Sequence, residues 1–139
     1  MTRNILIVDT GFLVALFRRG DRLREAARSF LAGNRAPLLT TSAIIVETAF
    51  FLDAGEKLAL MEWIRRGALP VREISGETWP LLAWIVSKYA DRDPDLADAT
   101  LVWLAQDCGS RRILTVDDAD FSVYRTKSGK AFEIVEWMR

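Results

Sequence analysis

The stretch Ile5-Leu6-Ile7-Val8-Asp9-Thr10-Gly11 decides the fold class of this chain. Four consecutive apolar residues without alternating polar ones are typical of a strand that is buried on both faces, as in a parallel sheet. The run ends at Asp9, and Gly11 then opens a short helix. Ile113-Leu114-Thr115-Val116-Asp117 repeats the pattern near the other end of the chain. We therefore expect two buried strands that each end at an aspartate.

Strand-like and helix-like segments alternate along the rest of the sequence. The predicted strands cover residues 5–8, 38–40, 71–74, 113–116 and 132–135. The first predicted helix is a short segment from Gly11, and the second is capped by Asp21 and runs to about residue 32. The third begins at Thr41 or Ser42 and continues towards Asp53, where Gly55 interrupts it. The remaining helices cover residues 56–66, 77–89 and 96–107, and Asp95 caps the last of them. This alternation predicts an α/β fold with a mainly parallel central sheet and helices on both faces.

Length and composition favour one domain covering residues 1–139. The chain is 50% hydrophobic, which suffices for one core, and its 19 basic and 19 acidic residues balance. It therefore lacks the overall basic charge of a non-specific nucleic-acid binder. The amino terminus lacks the pattern of a secretory signal peptide, and no stretch reaches the roughly 20 apolar residues of a membrane span. We expect a soluble, cytoplasmic protein.

Two residue types are nearly or wholly missing, and this narrows the possible chemistry. The sequence has no histidine, which excludes a Ser-His-Asp triad, a Cys-His pair and a His-ligated zinc site. Its one cysteine, Cys108, excludes an internal disulfide and a multi-thiolate metal cluster, and it favours a reducing compartment. Catalysis would have to depend on carboxylates, on a metal ion, or on both.

Four acidic residues interrupt or end hydrophobic runs: Asp9, Glu47, Asp98 and Asp117. A carboxylate in apolar surroundings either becomes protonated or binds a cation. Asp9 and Asp117 follow predicted strands, and the carboxyl ends of parallel strands are where such sheets bind ligands. Glu47 and Asp98 share helical faces with apolar residues, so we expect both to point inward. Four carboxylates together would bind Mg²⁺ or Mn²⁺, since these ions prefer oxygen ligands.

Each acid also has a purely structural interpretation. Asp9 and Asp117 could cap the helix or turn that follows them, and Asp98 could interact with its helix dipole. Glu47 lies mid-helix and has no capping role, so its structural interpretation requires a buried arginine. Asp95 fits a helix cap better than a metal ligand.

Four sequence segments together resemble the PIN-domain ribonuclease family, and within it the small VapC-like toxins. They are Ile-Val-Asp-Thr-Gly-Phe-Leu-Val-Ala-Leu from residue 7, Thr-Ser-Ala-Ile-Ile-Val-Glu-Thr from residue 41, Asp-Leu-Ala-Asp-Ala-Thr-Leu-Val from residue 95, and Leu-Thr-Val-Asp-Asp-Ala-Asp-Phe from residue 114. The resemblance implies a PIN-like three-layer sandwich and a Mg²⁺- or Mn²⁺-dependent endoribonuclease. It also implies a homodimer that pairs with an antitoxin protein.

The same resemblance assigns site residues. The acidic quartet of the family falls on Asp9, Glu47, Asp98 and Asp117, which are the acids that the apolar surroundings select. Thr10 and Thr115 match positions where the family often places a hydroxyl beside the metal. Asp120 matches a frequent additional acid, whereas Asp95 departs from the serine or leucine that many VapC-like sequences carry.

Basic residues near the acids could contact RNA, and two other functions are possible for this sequence. The candidate phosphate-binding residues are Arg18, Arg19, Arg22, Arg24, Arg125, Lys127 and Lys130, although a solvated helix face explains them equally well. A haloacid-dehalogenase-like phosphatase would need an acid at position 11, where this chain has glycine. A non-catalytic PIN-like module that binds RNA or a protein partner stays as the alternative.

Overall fold

A computed structural model describes residues 4–139. Its strands are β1 (Leu6–Val8), β2 (Leu38–Thr41), β3 (Val71–Arg72), β4 (Arg112–Leu114) and β5 (Glu133–Ile134). Its α-helices are α1 (Thr10–Phe17), α2 (Arg24–Gly33), α3 (Ser42–Ala49), α4 (Ala54–Arg65), α5 (Trp79–Lys88), α6 (Leu96–Cys108) and α7 (Asp118–Phe121). The expectation about the amino terminus falls partly on residues 1–3, which lie outside the described residues.

The five strands form one sheet in the order β3-β2-β1-β4-β5, and every neighbouring pair is parallel. In the centre, Ile7 of β1 pairs with Leu39 on one side and with Ile113 on the other. Helices cover both faces of the sheet, so the predicted α/β sandwich is confirmed. Parallel strands need crossover connections, and the helices supply them.

The core lies around the two strands that the sequence singled out. The side chains of β1 are at most 1% exposed, and Ile113 and Leu114 of β4 are fully buried. Both strands are central in the sheet, so helices cover them on both faces and no polar alternation is needed. The aspartates that follow these strands therefore lie next to each other at the carboxyl edge of the sheet.

Helix α6 is fixed at the same edge. Asp95 caps it by accepting a hydrogen bond of 2.7 Å from the backbone N–H of Asp98, and Gly109 ends it with a φ of 78°. The Thr100 hydroxyl forms a hydrogen bond of 2.8 Å with the hydroxyl of Thr41, the last residue of β2. The first turn of α6, which carries Asp98, is thereby held close to the strand ends. The predicted caps at Thr41 and Asp95 are confirmed.

Two helix boundaries differ from the prediction. Asp21 does not cap α2; it accepts a hydrogen bond from the backbone N–H of Leu23, and the helix begins at Arg24. Asp and Asn make such local turns as readily as they cap helices, so the sequence does not separate the two. The helix that carries Glu47 ends at Ala49, because Asp53 starts a new one with a reciprocal capping box. Gly55 lies inside that new helix and does not interrupt one.

In residues 4–139, no helix combines the length and the apolar character that crossing a membrane requires.

Candidate metal centre

An open cavity of about 660 Å³ lies at the carboxyl edge of the sheet. Its acidic lining residues are Asp9, Asp21, Glu47, Asp95, Asp98 and Asp117. Its apolar lining residues are Val14, Leu23, Phe50, Phe51, Val116 and Met138. We call this space the main cavity. The four acids selected from the sequence all border it, although they come from four separate segments of the chain.

Asp9 is held rigidly at the end of β1. It caps α1, with Oδ1 accepting a hydrogen bond of 2.8 Å from the Thr10 backbone N–H, and Oδ2 accepts one of 2.6 Å from the Thr115 hydroxyl. Burial raises the pKa of Asp9 to about 6, with smaller contributions from the charges of Glu47 and Asp117, although the two hydrogen bonds oppose this. Asp9 is therefore both a helix cap and part of the acidic site.

Gly11 allows the first turn of α1 to lie against the segment that carries Asp117. A Cβ atom at position 11 would collide with the side chain of Val116. The glycine thus brings the loops after β1 and β4 close together.

Asp98 is the acid whose protonation the site perturbs most. Its side chain lies in the first turn of α6 and is 8% exposed. Burial, followed by the negative charges of Asp9 and Asp95, raises the pKa of Asp98 to about 9. A carboxyl group held this far from its ordinary range needs a proton or a cation at neutral pH.

Asp117 and Asp120 belong to the short turn after β4. Asp117 caps α7 by accepting a hydrogen bond of 3.1 Å from the Asp120 backbone N–H, and burial raises the pKa of Asp117. Asp120 accepts a hydrogen bond of 2.7 Å from the Arg92 guanidinium. Asp98, Asp117 and Asp120 each offer an oxygen within 4.8 Å of the other two. We call these three residues the acidic triad.

Glu47 is half-buried and lines the main cavity together with the other acids. The apolar residues grouped with it from the helical pattern are not core residues, since Val46, Phe50 and Phe51 are 60%, 82% and 53% exposed. The apolar face of α3 therefore borders an open cavity. Burial is the largest cause that raises the pKa of Glu47, and the negative charge of Asp95 adds to it. The hydrogen bond that Glu47 accepts from the Thr10 hydroxyl acts in the opposite direction.

The donor set fits a hard divalent cation. The triad offers carboxylate oxygens alone, and Thr10 and Thr115 add hydroxyl groups that hold the neighbouring acids. The chain has no histidine, and Cys108 lies at the far end of α6. Oxygen ligands of this kind suit Mg²⁺ and Mn²⁺. Asp9 and Glu47 are not part of this group of three, and each accepts a hydrogen bond from a threonine hydroxyl.

The candidate phosphate-binding residues divide into two groups. Arg18 and Arg22 line the main cavity together with the acids. Arg19 instead pairs with Asp53 at 2.6 Å, and its backbone N–H donates to Glu56. Arg24 lines a separate depression. The structure thus brings two of the four arginines from this part of the chain to the site.

The basic residues after β4 have other surroundings. The Arg125 guanidinium donates to three backbone carbonyls, those of Ser122, Val123 and Tyr124. Lys127 lies over the Trp84 ring, with Nζ 5.9 Å from its centroid. Lys130 lines a depression that also contains Arg111. These contacts stabilise the loop after α7 and do not border the main cavity.

Sequence reasoning missed two residues beside the triad. Arg92 lies within the acidic segment 91–95, and no local pattern links it to Asp120, which is 28 residues away in the sequence. Tyr124 is fully buried beside the triad, and the only sequence signal for it is its spacing three residues after Phe121. Neither contact can be inferred from local patterns.

Comparison with known proteins identifies a family and similar proteins. The sequence model of the PIN domain family matches residues 6–127. The ribonuclease VapC26 of Mycobacterium tuberculosis is 26% identical over 134 residues, covering 94% of this chain and 99% of that protein. The crystal structure of VapC20 from the same organism, described as a sarcin-ricin loop cleaving toxin, superposes with a TM-score of 0.71 at 21% identity, covering 83% of this chain and 91% of VapC20. At 21% identity the match to VapC20 supports the fold alone.

Proposed function

Because the chain belongs to the PIN-domain family, we propose that it is a metal-dependent endoribonuclease and the toxin of a toxin–antitoxin pair. The observation that carries this proposal is the acidic triad, whose three carboxylates come from α6 and from the turn after β4. Like charges this close destabilise the fold unless a cation or protons offset them. The similarity to a named ribonuclease over nearly the whole chain supports RNA as the substrate.

The proposed cofactor is Mg²⁺ or Mn²⁺. Asp98, Asp117 and Asp120 would hold the ion, and Asp9 and Glu47 would add negative charge beside it. A divalent ion bound there would lower the pKa of a water molecule and offset the charge of the scissile phosphate. Thr115 and Thr10 position Asp9 and Glu47 by donating hydrogen bonds to them. We assign the catalytic role to Asp9, Glu47, Asp98 and Asp117 as a set.

Arg18 and Arg22 are the proposed contacts to the RNA backbone. Both line the main cavity, as do Asp98 and Asp117, so a phosphate next to the scissile one could reach the arginines while these two acids face the reacting group. Phe50 is 82% exposed at the same rim and offers a ring on which an unpaired base can stack. These features favour single-stranded RNA or a loop over a duplex.

We propose an antitoxin protein and a second copy of this chain as partners, because the chain belongs to the PIN-domain family. A toxin of this kind would need an antitoxin protein that keeps it inactive in the cytoplasm. Exposed apolar side chains outside the cavity, such as Leu58, Met61 and Trp79, support a homodimer. The single cysteine agrees with a reducing compartment.

Cleavage of purified total RNA tests the proposed function. The wild type, Asp98→Asn and Asp107→Asn would each be incubated with Mg²⁺, with Mn²⁺ and with a chelator. Asp107 lies on the same helix as Asp98 but pairs with Arg72 away from the triad, so its variant is a matched control. We expect cleavage by the wild type and by Asp107→Asn with metal, and none by Asp98→Asn or with chelator.

Two other results would count against the proposal. Equal cleavage by the wild type and Asp98→Asn would show that the activity belongs to a contaminant or to another site. RNA that binds the wild type but stays intact under every metal condition would favour the alternative, a non-catalytic module that binds RNA or a protein partner.

A further inference from the structure

Tyr124 carries a buried hydroxyl group that forms no hydrogen bond with the described residues. The residue is fully buried, and in residues 4–139 its hydroxyl is the single buried side-chain polar atom without a hydrogen-bond partner. The neighbouring Tyr89 differs, because its hydroxyl accepts a hydrogen bond of 2.8 Å from the Arg125 backbone N–H. A buried donor without an acceptor is costly and points to a partner that is present in another state of the site.

Asp98 lacks a hydrogen-bond donor, just as Tyr124 lacks an acceptor. Its carboxylate accepts no hydrogen bond from the described residues, although it is only 8% exposed. The other acids of the site are each held by a donor: Asp9 by Thr115, Glu47 by Thr10, Asp117 by a backbone N–H and Asp120 by Arg92. Of these five acids, Asp98 is therefore the one whose carboxylate has no positioning contact in the described residues.

Tyr124 is attached to the turn whose acids face Asp98 across the triad. The Tyr124 backbone N–H donates to the carbonyl of Asp120, so the tyrosine directly follows the turn that carries two triad acids. Its ring packs edge-on against Phe121 and Tyr89, with centroids 5.2 and 5.1 Å away, and these contacts fix its orientation. Burial, followed by the charges of Asp98 and then Asp120, raises the pKa of Tyr124 far above its ordinary value. Among the acidic charges that act on this hydroxyl, that of Asp98 is the strongest.

We propose that Tyr124 is a positioning residue of the metal centre and that its hydroxyl donates a hydrogen bond to the Asp98 carboxylate when a divalent cation is bound. The inference rests on the proposed function, because it concerns the same site. A carboxylate that ligates a cation accepts hydrogen bonds and cannot donate them, so the phenol is the matching partner. Partners of this kind orient the ligating oxygen and increase metal affinity.

The test is the affinity of Tyr124→Phe for Mn²⁺, measured by isothermal titration calorimetry, together with the thermal midpoint in chelator. We expect Mn²⁺ binding to weaken by roughly ten- to a hundredfold, as for other partners of metal ligands. We expect the metal-free midpoint to stay equal or to rise, because the variant removes an unpaired buried hydroxyl. A purely structural tyrosine would give the opposite pair of results.

Tyr89→Phe is the matched control, since Tyr89 packs against Tyr124 but already has a hydrogen-bond partner. It should lower the metal-free midpoint and leave Mn²⁺ affinity unchanged. An affinity of Tyr124→Phe within twofold of the wild type would overturn the role of Tyr124, and so would a variant that no longer folds. A wild type that does not bind Mn²⁺ would instead overturn the proposed metal centre itself.

Discussion

The Thr115 hydroxyl donates a hydrogen bond of 2.6 Å to Oδ2 of Asp9, joining the carboxyl ends of two neighbouring strands. Thr115 is fully buried and Asp9 is 4% exposed. The bond lowers the pKa of Asp9, but burial outweighs it and the pKa still lies near 6. A buried carboxylate is thus kept in place at the edge of the sheet by a neighbouring strand.

Replacing Thr115 by valine should destabilise the protein by roughly 1.5–3 kcal/mol, the usual range for a hydrogen bond to a charged group. Valine keeps the shape of threonine but leaves one oxygen of Asp9 without its donor and the Asp117 backbone N–H without its acceptor. Urea unfolding at pH 7 in chelator would measure the difference. Thr115→Ser keeps the hydroxyl and is the control; a Thr115→Val protein as stable as Thr115→Ser would contradict this role.

Stability of the metal-free protein should fall as the pH rises. The folded protein holds a proton on Asp98 up to a pKa of about 9 and on Asp9 up to about 6, whereas the ordinary aspartate pKa is 3.8. Between these values the folded state binds more protons than the unfolded state, so the free energy of unfolding decreases by at most about 1.4 kcal/mol per pH unit and group. Urea unfolding in chelator at pH 5, 7 and 9 would measure this slope.

Asp98→Asn supplies the control for that slope. It should flatten the decrease above pH 6 and raise the metal-free thermal midpoint, because an amide needs no proton in this environment. Saturating Mg²⁺ should raise the midpoint of the wild type but not that of the variant. A wild-type stability that increases between pH 6 and pH 9 in chelator would show that the acids are not perturbed as described.

Arg92 should compete with the metal ion for Asp120. Its guanidinium pairs with Asp120 at 2.7 Å, and the two side chains are 35% and 30% exposed. Removing this charge in Arg92→Gln should strengthen Mn²⁺ binding about three- to tenfold, equivalent to roughly 0.7–1.4 kcal/mol. Calorimetric titration would measure it. Arg65→Gln removes a comparable surface pair with Glu62 and should leave the affinity unchanged; weaker binding by Arg92→Gln would reverse the assignment.

Arg18 and Arg22 should contribute to RNA binding without contributing to stability. In an Asp98→Asn background, which prevents cleavage, the double variant Arg18→Gln/Arg22→Gln should bind a short unstructured RNA more weakly. The slope of log affinity against log salt should fall by about 0.7 for each lost phosphate contact. Fluorescence anisotropy at several salt concentrations would measure both quantities.

Arg19→Gln is the control for that experiment. Arg19 pairs with Asp53 and lies 3.9 Å from Glu56, so its loss should affect the stability of the α1–α4 contact and not the RNA affinity. If Arg19→Gln weakened RNA binding as strongly as the double variant, the RNA path would not follow the main cavity.

The sequence predicted the sheet because its central strands are marked by composition alone. Residues 5–8 form a continuous apolar run, and Ile113 and Leu114 form a shorter one before Thr115; such runs are compatible with burial on both faces. The sequence also identified the acids that follow these strands, since a carboxylate beside an apolar run requires a proton, a cation or a hydrogen-bond donor. The helix cap at Asp95 could also be predicted from the sequence, because capping depends on residues three positions apart.

Contacts between distant segments could not be predicted in the same way. Periodicity showed that Glu47 shares a face with Phe50, but not that this face borders an open cavity. The pairing of Arg92 with Asp120 and the burial of Tyr124 depend on how the α5–α6 connection meets the turn after β4. These relations follow from tertiary packing and have no local sequence signal.

The most direct test of the metal centre is the anomalous diffraction of a crystal soaked in Mn²⁺. We expect a manganese peak bounded by the carboxylate oxygens of Asp98, Asp117 and Asp120, and no such peak in crystals of Asp98→Asn. A peak elsewhere, or an Asp98→Asn crystal that retains the ion at the triad, would contradict the assignment of these residues as its ligands.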